Sequence, residues 1–142
     1  MNFSQKEIII QSQQKGFFLI TNTIVKQFSE IQNYKIGTLH LFLKHTSASI
    51  SINENADPTV REDLLTYFEK YVPENEPYYK HTFEGPDDMP AHIKSTLIGN
   101  NLTIPISNGE LQLGTWQGIY LCEHRKNPHN RKIVATINGE KF

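Results

Sequence analysis

The sequence predicts an α+β fold: a single compact β-rich domain, residues 1–142, on a largely antiparallel sheet or sandwich with about three helices. Three observations carry this reading. Apolar residues alternate with period two in several short runs bounded by turn residues. Only three stretches show helical spacing. Strands and helices do not follow each other in the regular βαβ order of a parallel sheet. At 142 residues the chain has single-domain size and buries roughly two-thirds of its unfolded surface in one core.

The elements follow in order. Glu7–Gln11 and Phe17–Ile20 are short apolar runs split by Gln13-Gln14-Lys15-Gly16, a hairpin or an arch. Thr21 or Thr23 is placed to cap a helix whose buried stripe is Ile24, Phe28 and Ile31. Gly37 ends that connection. Leu39, Leu41 and Leu43 then alternate with His40, Phe42 and Lys44, and the same phase puts His45 on the buried side. Afterwards the phase flips to Ile50 and Ile52, with Ser47, Ser49 and Ser51 opposite, which predicts a bulge or kink inside one strand.

Asp57-Pro58 is a helix start, an acidic cap followed by proline at the first helical position. Val60, Leu64, Tyr67, Phe68, Tyr71 and Val72 keep the helical stripe to Pro73, with Arg61, Glu62, Glu69 and Lys70 on the solvated face. Pro73–Met89 is a long irregular stretch whose aromatics Tyr78, Tyr79 and Phe83, with His81, argue for order and cover rather than disorder. Pro90–Ile98 reads as a short helix with Ile93 and Leu97 inward, stopped by Gly99. The last third is β: Leu102, Ile104 and Ile106 alternate, Asn108-Gly109 makes a hairpin turn, and a return strand carries Leu111, Leu113 and Thr115 on one face and Gln112, Gly114 and Trp116 on the other. Gly118–Glu123 and Lys132–Ile137 are two more strands, joined by His124–Arg131.

Composition narrows the function. Fourteen basic against fifteen acidic residues leave a net charge of −1, which gives no nucleic-acid or anionic-membrane footprint. The lone Cys122 excludes an internal disulfide and a CxxC zinc site. The start of the chain has no signal pattern and no apolar run is long enough to span a membrane, so the sequence reads as soluble and cytoplasmic. Arg61, Arg125 and Arg131 are the only arginines, and each is a candidate anion clamp, although Arg125 and Arg131 flank a turn where solvated surface is the default.

Three stretches carry chemistry. His81 and His92 bracket Asp87 and Asp88, and Asp88 and His92 stand i, i+4 on one helical face. With His45 from a strand end, the three imidazoles His45, His81 and His92 and a carboxylate suit a divalent metal ion, Zn²⁺ or Mg²⁺, with an open position. The bland alternative is an aspartate cap with ordinary surface or core histidines. His45-Thr46-Ser47-Ala48-Ser49 offers hydroxyls and, if kinked, backbone N–H groups for phosphate oxygens. Gly114-Thr115-Trp116-Gln117-Gly118 places Trp116 to stack on a flat ring and Gln117 to read its edge, or else a core or interface tryptophan. Asp57 is most simply a cap.

These stretches together resemble the YjbQ family, the proteins called secondary thiamine-phosphate synthases. The resemblance rests on Gly37, His45-Thr46-Ser47-Ala48-Ser49, Asn53-Glu54-Asn55 with Asp57-Pro58-Thr59-Val60, Asp63 and His81. It continues through Glu84-Gly85, Asp87-Asp88-Met89-Pro90, Ala91, His92-Ile93-Lys94-Ser95, Gly99, Pro105, Gly109, Gly114-Thr115-Trp116-Gln117-Gly118, Glu123-His124-Arg125 and Arg131, and so covers nearly the whole chain. It implies a compact β-rich α+β fold, a homotrimer with clefts near the subunit boundaries, and a weak or secondary ability to join hydroxymethylpyrimidine diphosphate to thiazole phosphate with release of pyrophosphate.

The resulting expectation is a transferase acting on a small phosphorylated metabolite. His45, Glu54, Asp88 and His92 are the candidate catalytic residues, and Thr46, Ser47, Ser49, Trp116, Gln117 and Arg131 the candidate substrate contacts. The alternatives are a metal-dependent hydrolase or phosphoesterase with Glu54 as base, and a non-catalytic trimer that binds a small anionic metabolite.

Overall fold

A computed structural model describes residues 1–142. It contains eight strands and three helices. They are β1 (Asn2–Ser12), β2 (Gly16–Leu19), α1 (Thr21–Gln27), β3 (Tyr34–Leu43), β4 (Ala48–Glu54), α2 (Pro58–Tyr71), α3 (Asp88–Ile98), β5 (Asn101–Ser107), β6 (Glu110–Leu111), β7 (Gln117–Glu123) and β8 (His129–Lys141), with a 3-10 turn at Ser29–Asn33. The strands form an antiparallel five-stranded sheet, β1-β8-β3-β5-β6, and an antiparallel three-stranded sheet, β2-β7-β4. The expected α+β class holds. No helix is long and apolar enough to cross a membrane.

Alternation decides which face each strand buries. Ile8, Leu39, Leu41, Leu43, Ile104, Ile133 and Ile137 of the large sheet meet Ala48, Ile50, Ile119 and Leu121 of the small one in a single buried cluster. Ile24, Phe28 and Ile31 close one side of it, buried as their spacing predicted, but the single helix expected to carry them ends at Gln27 and Ile31 follows in the 3-10 turn. Each fully buried Ile or Leu here contributes on the order of 1.5–3 kcal/mol of transfer free energy. The small sheet is buried on its second face too. There Phe17, Tyr120 and Cys122 pack under Leu64, Leu65 and Phe68 of α2 and Ile98 of α3. Burial on both sides is why β7 reads as a nearly unbroken buried run.

Several local expectations change. The run from Leu39 to Ile52 is not one kinked strand. β3 belongs to the large sheet and β4 to the small one, and Lys44–Ser47 carries the chain across. The same holds for Gln13–Lys15, an arch and not a hairpin, and for His124–Pro128. The registers put these three crossings at one end of the sandwich, because Gly16 and Ala48 both pair with Glu123 while Ser12 pairs with His129. Gly37 lies inside β3, beside a register shift, where an added Cβ would meet the Asn138 carbonyl at 2.5 Å. Thr21 does not cap α1; its hydroxyl accepts from the Ile119 N–H. Asp57 does cap α2, accepting from Thr59 N–H. Asn108 (φ 51°) and Gly109 (φ 78°) make the expected hairpin turn, but its return strand is only two residues long, and Gln112–Trp116 is irregular.

Helix α3 starts two residues before the expected Pro90 and turns a different face inward. Asp88, Ala91 and Lys94 are buried, Ile93 is half-buried, and Leu97 is exposed. The long stretch before it is ordered, with the Tyr79 hydroxyl donating to the Pro73 carbonyl, but Tyr78 and Phe83 stay exposed, not covered.

Candidate metal centre at the crossing end

The crossing end is held together by a sealed ion pair. Arg131 on β8, at 2% exposure, donates through Nε to Glu123 Oε1 at 2.7 Å and through Nη2 to Glu123 Oε2 at 2.5 Å. The Ser12 hydroxyl donates to Glu123 Oε1 at 2.5 Å, and Arg131 Nη2 reaches the carbonyl and hydroxyl of Ser47 at 3.2 and 3.0 Å. This network ties the residues flanking all three crossings. Burial pushes the Glu123 carboxyl up, but Arg131 and Ser12 outweigh it and hold the group below the usual range. Beside it, the buried His124 shares a 2.8 Å hydrogen bond between Nε2 and the Ser49 hydroxyl; burial, then the charge of Lys94, lowers its pKa to about 3.

On the outside of this network lies a second, open cluster. His81 comes from the long loop, Asp88 and His92 from the first turns of α3. His81 Nε2 stands 2.7 Å and His92 Nε2 3.0 Å from the same oxygen, Asp88 Oδ2. The three ligand-type atoms all lie within 4.8 Å of one another. Two ligand atoms on one zinc-sized ion, each about 2.1 Å from it, stand at most about 4.2 Å apart; both nitrogen–oxygen distances fall inside that limit, and the two imidazole nitrogens lie within 4.8 Å of each other. His92 Nδ1 donates to the Thr46 carbonyl at 2.8 Å. A carbonyl only accepts, so Nδ1 keeps its proton; Nε2, which meets the Asp88 carboxylate, is the nitrogen that would give up its proton to bind an ion, the usual outer-shell arrangement of metal-binding histidines.

Asp88 is held equally firmly. Arg125 donates through Nη1 to Asp88 Oδ1 at 2.8 Å, through Nε to Asp87 Oδ2 at 3.1 Å, and through Nη2 to the Glu84 carbonyl at 3.0 Å. The Lys126 N–H also donates to Asp87 Oδ2. Burial raises the Asp88 pKa, but the hydrogen bond from His81 and the charges of His92 and Arg125 win, so the carboxylate is ionised below its usual range. The residues therefore fit a divalent ion held by two imidazoles and one carboxylate oxygen. The cluster separates two cavities. One, about 340 Å³, is lined by His45, Thr46, His92, Ser95, Thr96, Gly99 and Asn100. The other, about 380 Å³, includes Tyr79, His81, Thr82 and Met89.

The structure gathers some of the expected site residues and separates others. His45 lines the cavity but is not in the metal cluster. Its Nε2 accepts from Lys132 N–H at 2.8 Å, the bond that takes the strand-end imidazole out of the ligand set. Thr46 contributes its carbonyl to His92. Ser47, Ser49 and Arg131 sit at this end but are used internally, so Arg131 is neither solvated nor a free anion clamp, and Arg125 is likewise committed. Glu54 lies at the other end of β4, six residues or roughly 20 Å away. Its carboxylate accepts from the N–H groups of Ala56 and Asp57, which removes it as a base for His81 and His92 in the same chain. Trp116 and Gln117 share that far end, where Gln117 pairs with Glu54 and Trp116 is 65% exposed.

Sequence reasoning missed Arg125 as the residue that orients Asp88, and missed the buried Lys94, which donates to Glu69 at 2.5 Å, with Lys15 on the same carboxylate. Glu69 is thus a half-exposed partner of two lysines, and not only solvated surface. The scarcity of arginine was the usable signal for Arg125. Nothing in a helical pattern flagged Lys94.

Comparison with known proteins converges on one group. Residues 6–140 match the family model described as UPF0047 protein YjbQ-like. The chain is 48% identical over 136 residues to UPF0047 protein YjbQ of Escherichia coli O157:H7, covering 96% of this chain and 98% of that one. It is 37% identical to UPF0047 protein YugU of Bacillus subtilis, covering 81% and 84% of the two chains. A solved YjbQ/UPF0047 protein from Clostridium acetobutylicum superposes with a TM-score of 0.82 at 40% identity, over 94% of this chain and 99% of the other. A hypothetical protein from Aeropyrum pernix reaches 0.85 at 26% identity, over 96% and 99%. Motif order, fold and near-complete coverage agree, and the chain belongs to the YjbQ-like UPF0047 family.

Proposed function

We propose that the protein is a metal-dependent enzyme of small phosphorylated metabolites, with a divalent ion held by His81, Asp88 and His92. One observation carries this: three ligand-type atoms converge, the far side of His92 and of Asp88 is fixed by Thr46 and Arg125, and polar cavities open beside them. Two imidazoles and one carboxylate oxygen favour Zn²⁺ or a similar transition ion over Mg²⁺, which prefers oxygen donors and its own waters.

The reaction we put first is the transferase reaction that the family resemblance implied, a thiamine-phosphate-synthase-like activity of weak or secondary rate. The C–O bond of the pyrimidine-methyl diphosphate breaks, pyrophosphate leaves with the electron pair, and the thiazole nitrogen forms the new C–N bond. His81, Asp88 and His92 would hold a divalent ion that, when bound, would neutralise charge on the leaving diphosphate. Asp88 and His92 hold their ligand atoms in place, and the adjoining cavity takes an anionic group. The flat rings need a platform. Trp116 offers one, but at the far end of its own chain, so we propose a homotrimer in which a neighbouring copy brings Trp116 and Gln117 to the cleft. The outer face of the large sheet supports self-association: no helix covers it, and Phe3, Ile9, Ile36 and Phe42 are exposed there.

A second reading is phosphoester hydrolysis, in which water attacks phosphorus, the ester P–O bond breaks, and the alcohol leaves with the electron pair and takes up the proton that water loses. It is favoured by the fact that cluster and cavity adjoin within one chain while the ring platform does not. Thiamine phosphate formation by purified protein with Zn²⁺ or Mg²⁺, beside a His81→Ala variant purified identically, tests the first reading. Product from wild type alone supports it. An equal trace from both refutes it, and hydrolysis of p-nitrophenyl phosphate that the variant loses moves the conclusion to the second.

A further inference from the structure

The cavity between the β3–β4 crossing and the end of α3 has an unusual hydrogen-bond balance. None of its seven lining residues is hydrophobic, and none is a carboxylate, Lys or Arg. Most of its polar groups are already used. The Ser95 hydroxyl donates to the Ala48 carbonyl and the Thr96 hydroxyl to the His92 carbonyl. The carbonyls of Thr46, Ser95, Gly99 and Asn100 accept from His92 Nδ1 and from the N–H groups of Gly99, Ile50 and Leu43. Asn100 Oδ1 accepts from Asn101 Nδ2. Among the side-chain atoms, those left without a partner in the chain are His45 Nδ1, the Thr46 hydroxyl and Asn100 Nδ2, and all three can donate.

His45 is fixed as a donor by its own backbone neighbour. Lys132 N–H cannot accept, so the 2.8 Å bond to Nε2 requires a lone pair there, and the ring proton sits on Nδ1. Burial first, and the charge of Arg131 second, hold the imidazole below its usual range and keep it neutral. His45 is therefore neither a general base nor an Nε2 metal ligand.

We propose that this cavity binds the terminal phosphoryl group of a phosphate monoester, whose oxygens accept from His45 Nδ1–H, Thr46 Oγ1–H and Asn100 Nδ2–H. This deepens the metal-enzyme reading and rests on it for the ligand's orientation, because His92 both lines the cavity and belongs to the cluster. At about 340 Å³ the space is at the small end of ligand pockets, sized for a phosphoryl group and its first ester atoms. The carboxyl end of α3 opposes an anion, so an ion at His92 strengthens phosphate binding.

Inorganic phosphate is the probe, titrated into metal-free and Zn²⁺-loaded protein and followed by backbone amide shifts, with Zn²⁺ affinity measured separately. The amides of residues 45–46 and 99–100 shift saturably in both forms, at least about tenfold more tightly with Zn²⁺. Thr46→Val and Asn100→Leu each weaken phosphate by about tenfold and leave Zn²⁺ affinity unchanged. If Zn²⁺ binds but phosphate leaves these amides unmoved, or both variants bind it as wild type does, the phosphoryl pocket is wrong and the metal centre stands. If phosphate binds in this way and Zn²⁺ does not bind, the pocket stands and the metal centre falls.

Discussion

Two charged clusters sit on either side of the same crossings, built from similar residue types. Glu123 and Arg131 are at 1% and 2% exposure, and both carboxylate oxygens are bonded. At the other cluster Asp88 is just as firmly held and nearly as buried, but His81 is 50% and His92 30% exposed at the side chain. The first cluster has no room for a ligand and no reason to take one. The second turns its ligand atoms toward solvent-accessible space. Access, more than residue identity, separates the sealed pair from the open cluster.

That contrast breaks most visibly at Arg131. Arg131→Ala leaves Glu123 ionised and buried without its cation, and we expect a loss of about 3–5 kcal/mol, read by urea unfolding. A loss below 1 kcal/mol would mean that water reaches Glu123 and that the sealed description is wrong. Arg125→Ala sharpens the other side. It frees Asp88 Oδ1 and the Glu84 carbonyl, so Zn²⁺ affinity falls about 10–100-fold, with a smaller effect on unfolding than Arg131→Ala.

Acid tests the sealed region through His124, with His45, Asp87 and Asp88, also held below their usual ranges, adding to the loss. His124 stays neutral in the folded chain down to about pH 3, while the unfolded chain protonates it near 6.5. The unfolded state then binds the extra proton, so this contribution is complete above pH 6.5 and is lost progressively toward pH 3. Glu123, with its folded pKa lowered below 4.5, adds loss in the same direction once the pH passes below that value. The folding constant falls by up to about tenfold per pH unit for one such proton, and His124→Gln flattens the slope between pH 6.5 and 4.5. The smallest effect is at Cys122. Buried, with its thiol pushed up to about 12, it does not react with a thiol reagent in the native protein at pH 8 and reacts fully in urea.

Much of this architecture was readable from periodicity. Leu39, Leu41 and Leu43, the stripe Ile24, Phe28 and Ile31, the Asp57-Pro58 start and the Asn108-Gly109 turn all behave as local chemistry dictates. The failures share a cause. The change of phase after Lys44 marks a change of sheet, and local pattern does not reveal which sheet a strand joins. In α3 the apolar Leu97 faces out because the surface beneath the helix offers Glu69 to Lys94, and Arg125 with His81 to Asp88. Polar partners from distant segments decided that face. The Asp88/His92 spacing put these two side chains on one helical face, where the structure has them, but placing Arg131 in the core and Glu54 at the opposite end required the strand registers.

The central claim is the metal centre, and calorimetric titration of Zn²⁺ into metal-stripped wild type and His92→Ala tests it most directly. The account predicts one ion per chain for wild type and at least a hundredfold weaker binding for the variant, with urea unfolding nearly unchanged, since His92 is part-exposed. Equal binding by both proteins, or none by wild type, would contradict it.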